Sequence, residues 1–156
     1  MRLTQYTDYS LRVLIYLGLR PDRRCTIREI SESYGISRNH LMKVVQQLAA
    51  EGYIESTRGV GGGLILAHAP DRLGIGDVVR AMEPDIGLVE CMRPKNECVI
   101  TGACRLYGML GEARDAFFEV LDRYTLADIL EPRMMKRLSS ALGIRVVDPP
   151  AGVANG

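Results

Sequence analysis

Residues 26–66 limit the possible folds more tightly than any other part of this sequence. Thr26 and Glu29 have the spacing of a capping box, which begins a helix, and Gly35 can end that helix in a left-handed turn. Ser37 is a good N-cap for a second helix that continues to about residue 51. Two short helices joined by such a turn predict a helix-turn-helix.

A glycine-rich segment follows the second helix directly. Residues 53–57 and 64–67 are rich in strand-forming residues, and they flank the sequence RGVGGG. The segment is not a dinucleotide-binding loop, because Leu64 occupies the place of the third glycine and a strand comes next. We therefore predict a winged helix-turn-helix, mainly α with a small β-hairpin.

The start of the second helix is the candidate DNA-reading surface. In a helix-turn-helix these residues meet base edges in the major groove, where arginine suits guanine and asparagine suits adenine. Residues 1–80 carry eleven Lys and Arg against eight Asp and Glu, whereas residues 81–131 carry five against ten, so DNA should contact the N-terminal half. A solvated polar face is the alternative. The candidates are Ser37, Arg38, Asn39, His40 and Lys43 on the helix, and Arg58, Gly59, Gly61 and Gly62 on the wing.

The other segments complete a division into four predicted parts. Helical periodicity marks residues 7–19 and 75–82, and a loop without regular period follows. A helix over residues 104–123 has apolar residues at alternating spacings of four and three, the period of a coiled-coil seam. Such a stripe could also pack on its own domain. The residues of this predicted seam are Leu106, Leu110, Ala113, Phe117, Val120 and Tyr124. The predicted parts are a DNA-binding domain at 1–83, a cysteine-bearing loop at 84–103, a dimerisation helix at 104–131 and a variable, partly disordered tail at 132–156.

Three of the four cysteines lie in or beside this loop. Cys91, Cys98 and Cys104, hereafter the loop cysteines, are separated by six and five residues, wider than the close pairs of zinc sites. This spacing suits an iron–sulfur cluster. There are two alternatives: a thiol-redox switch with a reversible disulfide between Cys98 and Cys104, or three unrelated cysteines. Cys25 precedes a helix cap and is predicted to be a packing residue.

Several classes of protein do not fit the sequence. No apolar run approaches the roughly 20 residues of a membrane span, and no signal-peptide pattern precedes the first helix, so we expect a cytoplasmic protein. The sequence has no Ser/His/Asp set, no paired-carboxylate motif and no phosphate-binding loop. An enzyme is therefore not expected.

With these motifs the chain resembles the winged-helix iron–sulfur transcription regulators that include the IscR, RirA and NsrR types. The matching sequences are MRLT at the start, YGISRNH at residues 34–40, the wing, IGDVVR at residues 75–80 and YTLAD at residues 124–128. The IscR type has a histidine shortly after the third cysteine, which RLYG at residues 105–108 lacks. The chain is therefore more similar to the NsrR type, although the family usually has five residues, not six, between the first two cysteines.

The resemblance implies a homodimeric repressor that binds a palindromic operator in double-stranded DNA and senses nitric oxide. It also implies that the loop cysteines bind the cluster together with Asp8 from the other subunit. Three thiolates and a carboxylate suit either a 4Fe–4S or a 2Fe–2S cluster, so both remain open. The alternative functions are a regulator that responds to iron or cluster status and a thiol-redox switch regulator.

Overall fold

A computed structural model describes residues 2–144 of the chain as seven α-helices, two short 3₁₀ helices and one two-stranded antiparallel hairpin. The mainly α fold class with a small hairpin is thereby confirmed. The elements in chain order are α1 (Gln5–Gly18), α2 (Ile27–Tyr34), α3 (Arg38–Ala50), β1 (Ile54–Thr57), β2 (Gly63–Leu66), α4 (Ile75–Met82), α5 (Leu106–Leu121), α6 (Leu126–Ile129) and α7 (Pro132–Ala141).

Two helix starts differ from the prediction. The first helix begins at Gln5 rather than residue 7, because the Thr4 hydroxyl caps it by accepting a hydrogen bond from the Thr7 backbone. The long helix begins at Leu106 rather than residue 104, which leaves Cys104 in the preceding loop.

Local capping chemistry builds the helix-turn-helix as expected. The Thr26 and Glu29 side chains both bond back to the backbone at the start of α2. Gly35 has a φ of 65°, a conformation that glycine adopts without a steric penalty, and it ends α2. The Ser37 hydroxyl then accepts a hydrogen bond from the His40 backbone at 3.3 Å and begins α3. These contacts orient α3 across the body of the domain.

The core forms where α1 and α3 pack against each other and against the hairpin. Its fully buried side chains include Leu14, Leu17, Leu41 and Leu48. The backbone of Cys25 exchanges two hydrogen bonds with Leu64, so a single β-bridge joins Cys25 to β2. The hairpin is therefore fixed to the core at its base, and only its tip extends freely.

The chain returns to this core after α5. Leu126, Leu130 and Ile144 are buried in the same apolar cluster as α1 and α3, and Leu138 of α7 packs against it. Residues beyond 83 therefore contribute to the core of the winged helix. The division of the chain into four parts stays a prediction. Residues 145–156 of the predicted, partly disordered tail lie outside the described residues. No helix within residues 2–144 is long and apolar enough to cross a membrane.

Candidate DNA-binding surface and cysteine loop

One face of α3 is buried and the other is solvated. Leu41, Val44, Val45 and Leu48 lie in the core, as the sequence periodicity predicts. The structure brings the five candidate residues of the helix together on the opposite, exposed side, namely Ser37, Arg38, Asn39, His40 and Lys43. This surface presents the donors that base edges and phosphates accept.

Arg38 forms a long, solvent-exposed ion pair with α2. Its guanidinium lies 3.8 Å from the Glu32 carboxylate, and both side chains are 58% exposed. Glu32 also accepts a shorter bond, 2.7 Å, from Arg28. Exposed pairs of this kind contribute little to stability, so Arg38 can exchange Glu32 for a DNA group at small cost.

The wing depends on glycine at its turn. Gly59 and Gly61 have φ values of 93° and 76°, in the left-handed region. A Cβ on Gly62 would lie 2.3 Å from the Thr57 carbonyl oxygen, so this position has no room for a side chain. Arg58 is exposed at the first residue after β1. The candidate wing residues therefore share one tight turn beside α3.

Two tyrosines of α1 contact the recognition helix, and sequence reasoning did not single them out. The Tyr6 hydroxyl donates a hydrogen bond to the Lys43 carbonyl at 3.0 Å. The Tyr9 ring lies 6.3 Å from the His40 ring, centroid to centroid. Their i, i+3 spacing on a predicted helix was the available signal, because it places both rings on one face. A shift of α1 would therefore reach the DNA-reading surface directly.

Asp8 lies on the first turn of α1, and its side chain is 45% exposed. It forms an ion pair with Arg12 at 2.8 Å. The hydrogen bond to Asp8 raises the pKa of Arg12, whose guanidinium also lies 5.9 Å from the Tyr9 ring centroid. Asp8 is thus linked through Arg12 to the aromatic contact with α3.

The start of α1 is also fixed to the end of α4. One oxygen of Glu83 accepts hydrogen bonds from the Thr4 backbone, the Thr4 hydroxyl and the buried Thr7 hydroxyl, the last at 2.6 Å. Because Thr7 precedes Asp8, this network sets where the Asp8 carboxylate emerges from the domain.

The loop cysteines are free thiols, each partly buried. Cys91 lies in a 3₁₀ turn, Cys98 begins a turn, and Cys104 lies two residues before the start of α5. The structure places them on one irregular segment, but no three Cys, His, Asp or Glu side chains within residues 2–144 are gathered as a metal site. Accessible thiols on backbone without regular hydrogen bonding are a donor set that fits an iron–sulfur cluster.

Cys25 differs from the loop cysteines in its burial. It is 0% exposed in the core, and burial raises the pKa of its thiol. A buried thiol is a weak nucleophile and ligand, so the structure agrees with its predicted packing role.

Comparison with known proteins identifies the family. Residues 3–132 match the family described as Rrf2, iron-dependent transcriptional regulator. The chain belongs to the Rrf2 family. It is 50% identical over 133 residues to the HTH-type transcriptional regulator NsrR of Bacillus subtilis, a match that covers 84% of this chain and 91% of that protein.

Solved structures in the family share this fold. The T. potens IscR structure has a TM-score of 0.65 at 26% identity, covering 83% of this chain and 86% of that one. The structure of CymR, the global cysteine regulator of B. subtilis, has a TM-score of 0.64 at 26% identity, covering 83% and 95%. The resemblance stated from the sequence is confirmed, and the chain is a DNA-binding transcriptional repressor of the IscR/NsrR type.

Proposed function

We propose that this chain acts in the cytoplasm as a homodimeric repressor of a palindromic operator, and that an iron–sulfur cluster sensing nitric oxide controls its affinity. It regulates transcription and is not an enzyme. The observation that carries the proposal is the position of Asp8. Its carboxylate is exposed toward solvent, while its helix contacts the recognition helix through Tyr6 and Tyr9.

The proposed dimer interface is the apolar face of α5. Large apolar side chains of the predicted seam are exposed, namely Leu106 at 53%, Val120 at 47% and Tyr124 at 50%. Clustered exposure of this kind marks an interaction surface. Its period of four and three residues suits a partner helix, and a second copy of the chain supplies one.

The loop cysteines and Asp8 from the other subunit are the proposed cluster ligands. A bound cluster supplies iron that nitric oxide can ligate. Asp8 provides the one oxygen donor among sulfur donors, which makes it the ligand most readily lost. The loop must gather its three thiols to bind, and its lack of regular structure allows this.

Asp8 couples the cluster site to DNA through its own helix. An Asp8 carboxylate engaged across the dimer would add a further constraint to the first turn of α1, which the Glu83 hydrogen bonds already hold, and thereby to Tyr6 and Tyr9. Without that engagement Asp8 would pair with Arg12, and α1 would be less restrained against α3. Because Tyr6 bonds the Lys43 carbonyl, a shift of α1 moves α3 relative to the operator.

The experiment replaces Asp8 with alanine, with Asp22→Ala as the control because Asp22 is exposed in the turn after α1. A palindromic duplex is first selected with the unmodified protein from random DNA. Visible absorption and fluorescence anisotropy are then followed anaerobically during addition of nitric oxide. The unmodified protein and Asp22→Ala should be coloured and lose operator affinity about tenfold or more, a usual size for allosteric coupling.

In Asp8→Ala the response should fall to within about twofold. A full response in Asp8→Ala would refute the role of this carboxylate. A colourless protein that binds DNA and ignores nitric oxide would refute the sensing mechanism.

A second candidate function follows from the family's description as iron-dependent. A regulator of iron status would release the operator when iron is withdrawn, without nitric oxide. Operator binding is measured after treatment with an iron chelator, and separately after addition of nitric oxide at constant iron supply. Release by the chelator alone indicates a regulator of iron status, whereas a nitric-oxide sensor should respond to nitric oxide at constant iron supply.

A further inference from the structure

A side-chain clamp joins α4 of the winged helix to the C-terminal end of α5. Both terminal nitrogens of Arg80 donate to the Asp122 carboxylate, at 2.7 and 2.6 Å. The Arg80 guanidinium also lies 4.4 Å from the centroid of the Phe118 ring. A bidentate pair with a stacked ring fixes direction as well as distance, because the guanidinium is planar.

The backbone around the start of α4 lies very close to Asp122 and to the residues that follow it. A Cβ on Gly76 would lie 1.9 Å from an Asp122 carboxylate oxygen, so only glycine admits Asp122 here. The Ile75 backbone donates to the Tyr124 carbonyl at 2.9 Å, and the Leu126 backbone donates to the Leu73 carbonyl at 2.8 Å. The end of α5 and the segment that follows it are therefore held against α4 and the residues just before it by the Arg80 pair, the Phe118 ring contact and two backbone hydrogen bonds.

The clamp matters more for geometry than for stability. Arg80 and Asp122 are 39% and 43% exposed, and exposed ion pairs stabilise a fold little. The hydrogen bond from Arg80 lowers the pKa of Asp122 and so favours its charged form. The clamp has a substantial effect on the position of α5. This 16-residue helix is about 24 Å long, so a tilt of about 10° at one end moves the other end by about 4 Å.

We propose that Arg80 and Asp122 are positioning residues that set the angle between the winged helix and α5, and thereby the spacing between half-sites that the dimer accepts. The inference rests on the proposed dimer through α5. In such a dimer, the angle at which each winged helix leaves the paired helices determines the distance between the two recognition helices. A palindrome one DNA turn from centre to centre demands a defined distance.

The test measures how operator affinity depends on half-site spacing. Asp122→Asn keeps the shape but loses the charge, and Arg80→Asp with Asp122→Arg restores a pair in reverse. Arg123→Ala is the matched control, because Arg123 lies next to Asp122 but pairs with Glu119 on the same helix at 3.3 Å. Anisotropy is measured on the selected palindrome, on versions with one or two base pairs added or removed at the centre, and on a single half-site.

The unmodified protein and Arg123→Ala should prefer one spacing. The operator affinity of Asp122→Asn should fall roughly fivefold at that spacing, change less than about twofold at the altered spacings and stay the same on a single half-site. The reversed pair should recover part of the preference for that spacing. An equal loss on every duplex, or an unchanged profile, would overturn the positioning role while leaving the proposed function intact. Sedimentation showing a monomer would overturn both the dimer and this inference.

Discussion

Replacing Glu29 with glutamine tests how the first helix of the helix-turn-helix is held. One Glu29 oxygen accepts a 2.6 Å bond from Arg23, and the other accepts bonds from the Thr26 backbone and hydroxyl at 2.7 and 2.9 Å. Burial opposes ionisation of this carboxyl, but these bonds outweigh it and lower its pKa from 4.5 to about 2. Glutamine keeps an oxygen that can accept from Thr26 and loses the charge.

The structure gives the size of the effect. A carboxyl pKa lowered from 4.5 to about 2 corresponds to at most about 3 kcal/mol of stability. Because the Glu29 side chain is 33% exposed, solvent and salt screen much of this, and we expect a loss of about 1 to 1.5 kcal/mol at pH 7.

The pH dependence has a definite sign. A lowered pKa in the folded state stabilises the protein fully above the unfolded value of 4.5, and this contribution disappears as the pH falls toward about 2. Urea unfolding followed by circular dichroism should therefore show Glu29→Gln weaker than the unmodified protein at pH 7, with a smaller difference at pH 3.

Glu32→Gln is the control on the same helix. Glu32 is 58% exposed and faces two arginines, so its replacement should change stability less than that of Glu29. A Glu29→Gln deficit that is absent at pH 7, or equal at pH 7 and pH 3, would refute the argument from charge.

Two further predictions concern the wing and the cysteines. Gly62→Ala should weaken operator binding in the anisotropy assay about tenfold, because the new methyl group would lie against the Thr57 carbonyl and deform the turn. Unchanged affinity would contradict the idea that the tight geometry of the wing turn contributes to DNA binding. In the metal-free protein, the loop cysteines should react with a thiol reagent under native conditions and Cys25 only after denaturation, because it alone is fully buried; four equally fast thiols, counted by absorbance, would contradict this.

Much of the fold was readable from the sequence because its signals are local. The capping box at Thr26 and the turn at Gly35 each depend on residues within one turn of helix. The buried face of α3 follows from a spacing of three and four residues. Such contacts form whatever the rest of the chain does, so they can be predicted without knowing its path.

The seam of α5 shows where periodicity stops being decisive. The repeat predicted an apolar stripe but left open whether the stripe packs on its own domain or on a partner. In the structure Phe118, outside the predicted seam, is buried, whereas Leu106, Val120 and Tyr124 of the seam remain exposed. Only the path of the chain decides which side of a helix meets the core.

Sequence alone determined the winged helix-turn-helix, the polar start of its recognition helix, the loop cysteines as candidate ligands and the family that these motifs resemble. Tertiary structure decided which distant residues meet. It placed Tyr6 against Lys43, Glu83 against Thr7 and Arg80 against Asp122, pairs separated by 37, 76 and 42 positions. No local spacing encodes such contacts, because they exist only after the burial of apolar side chains has brought α1, α3, α4 and α5 together.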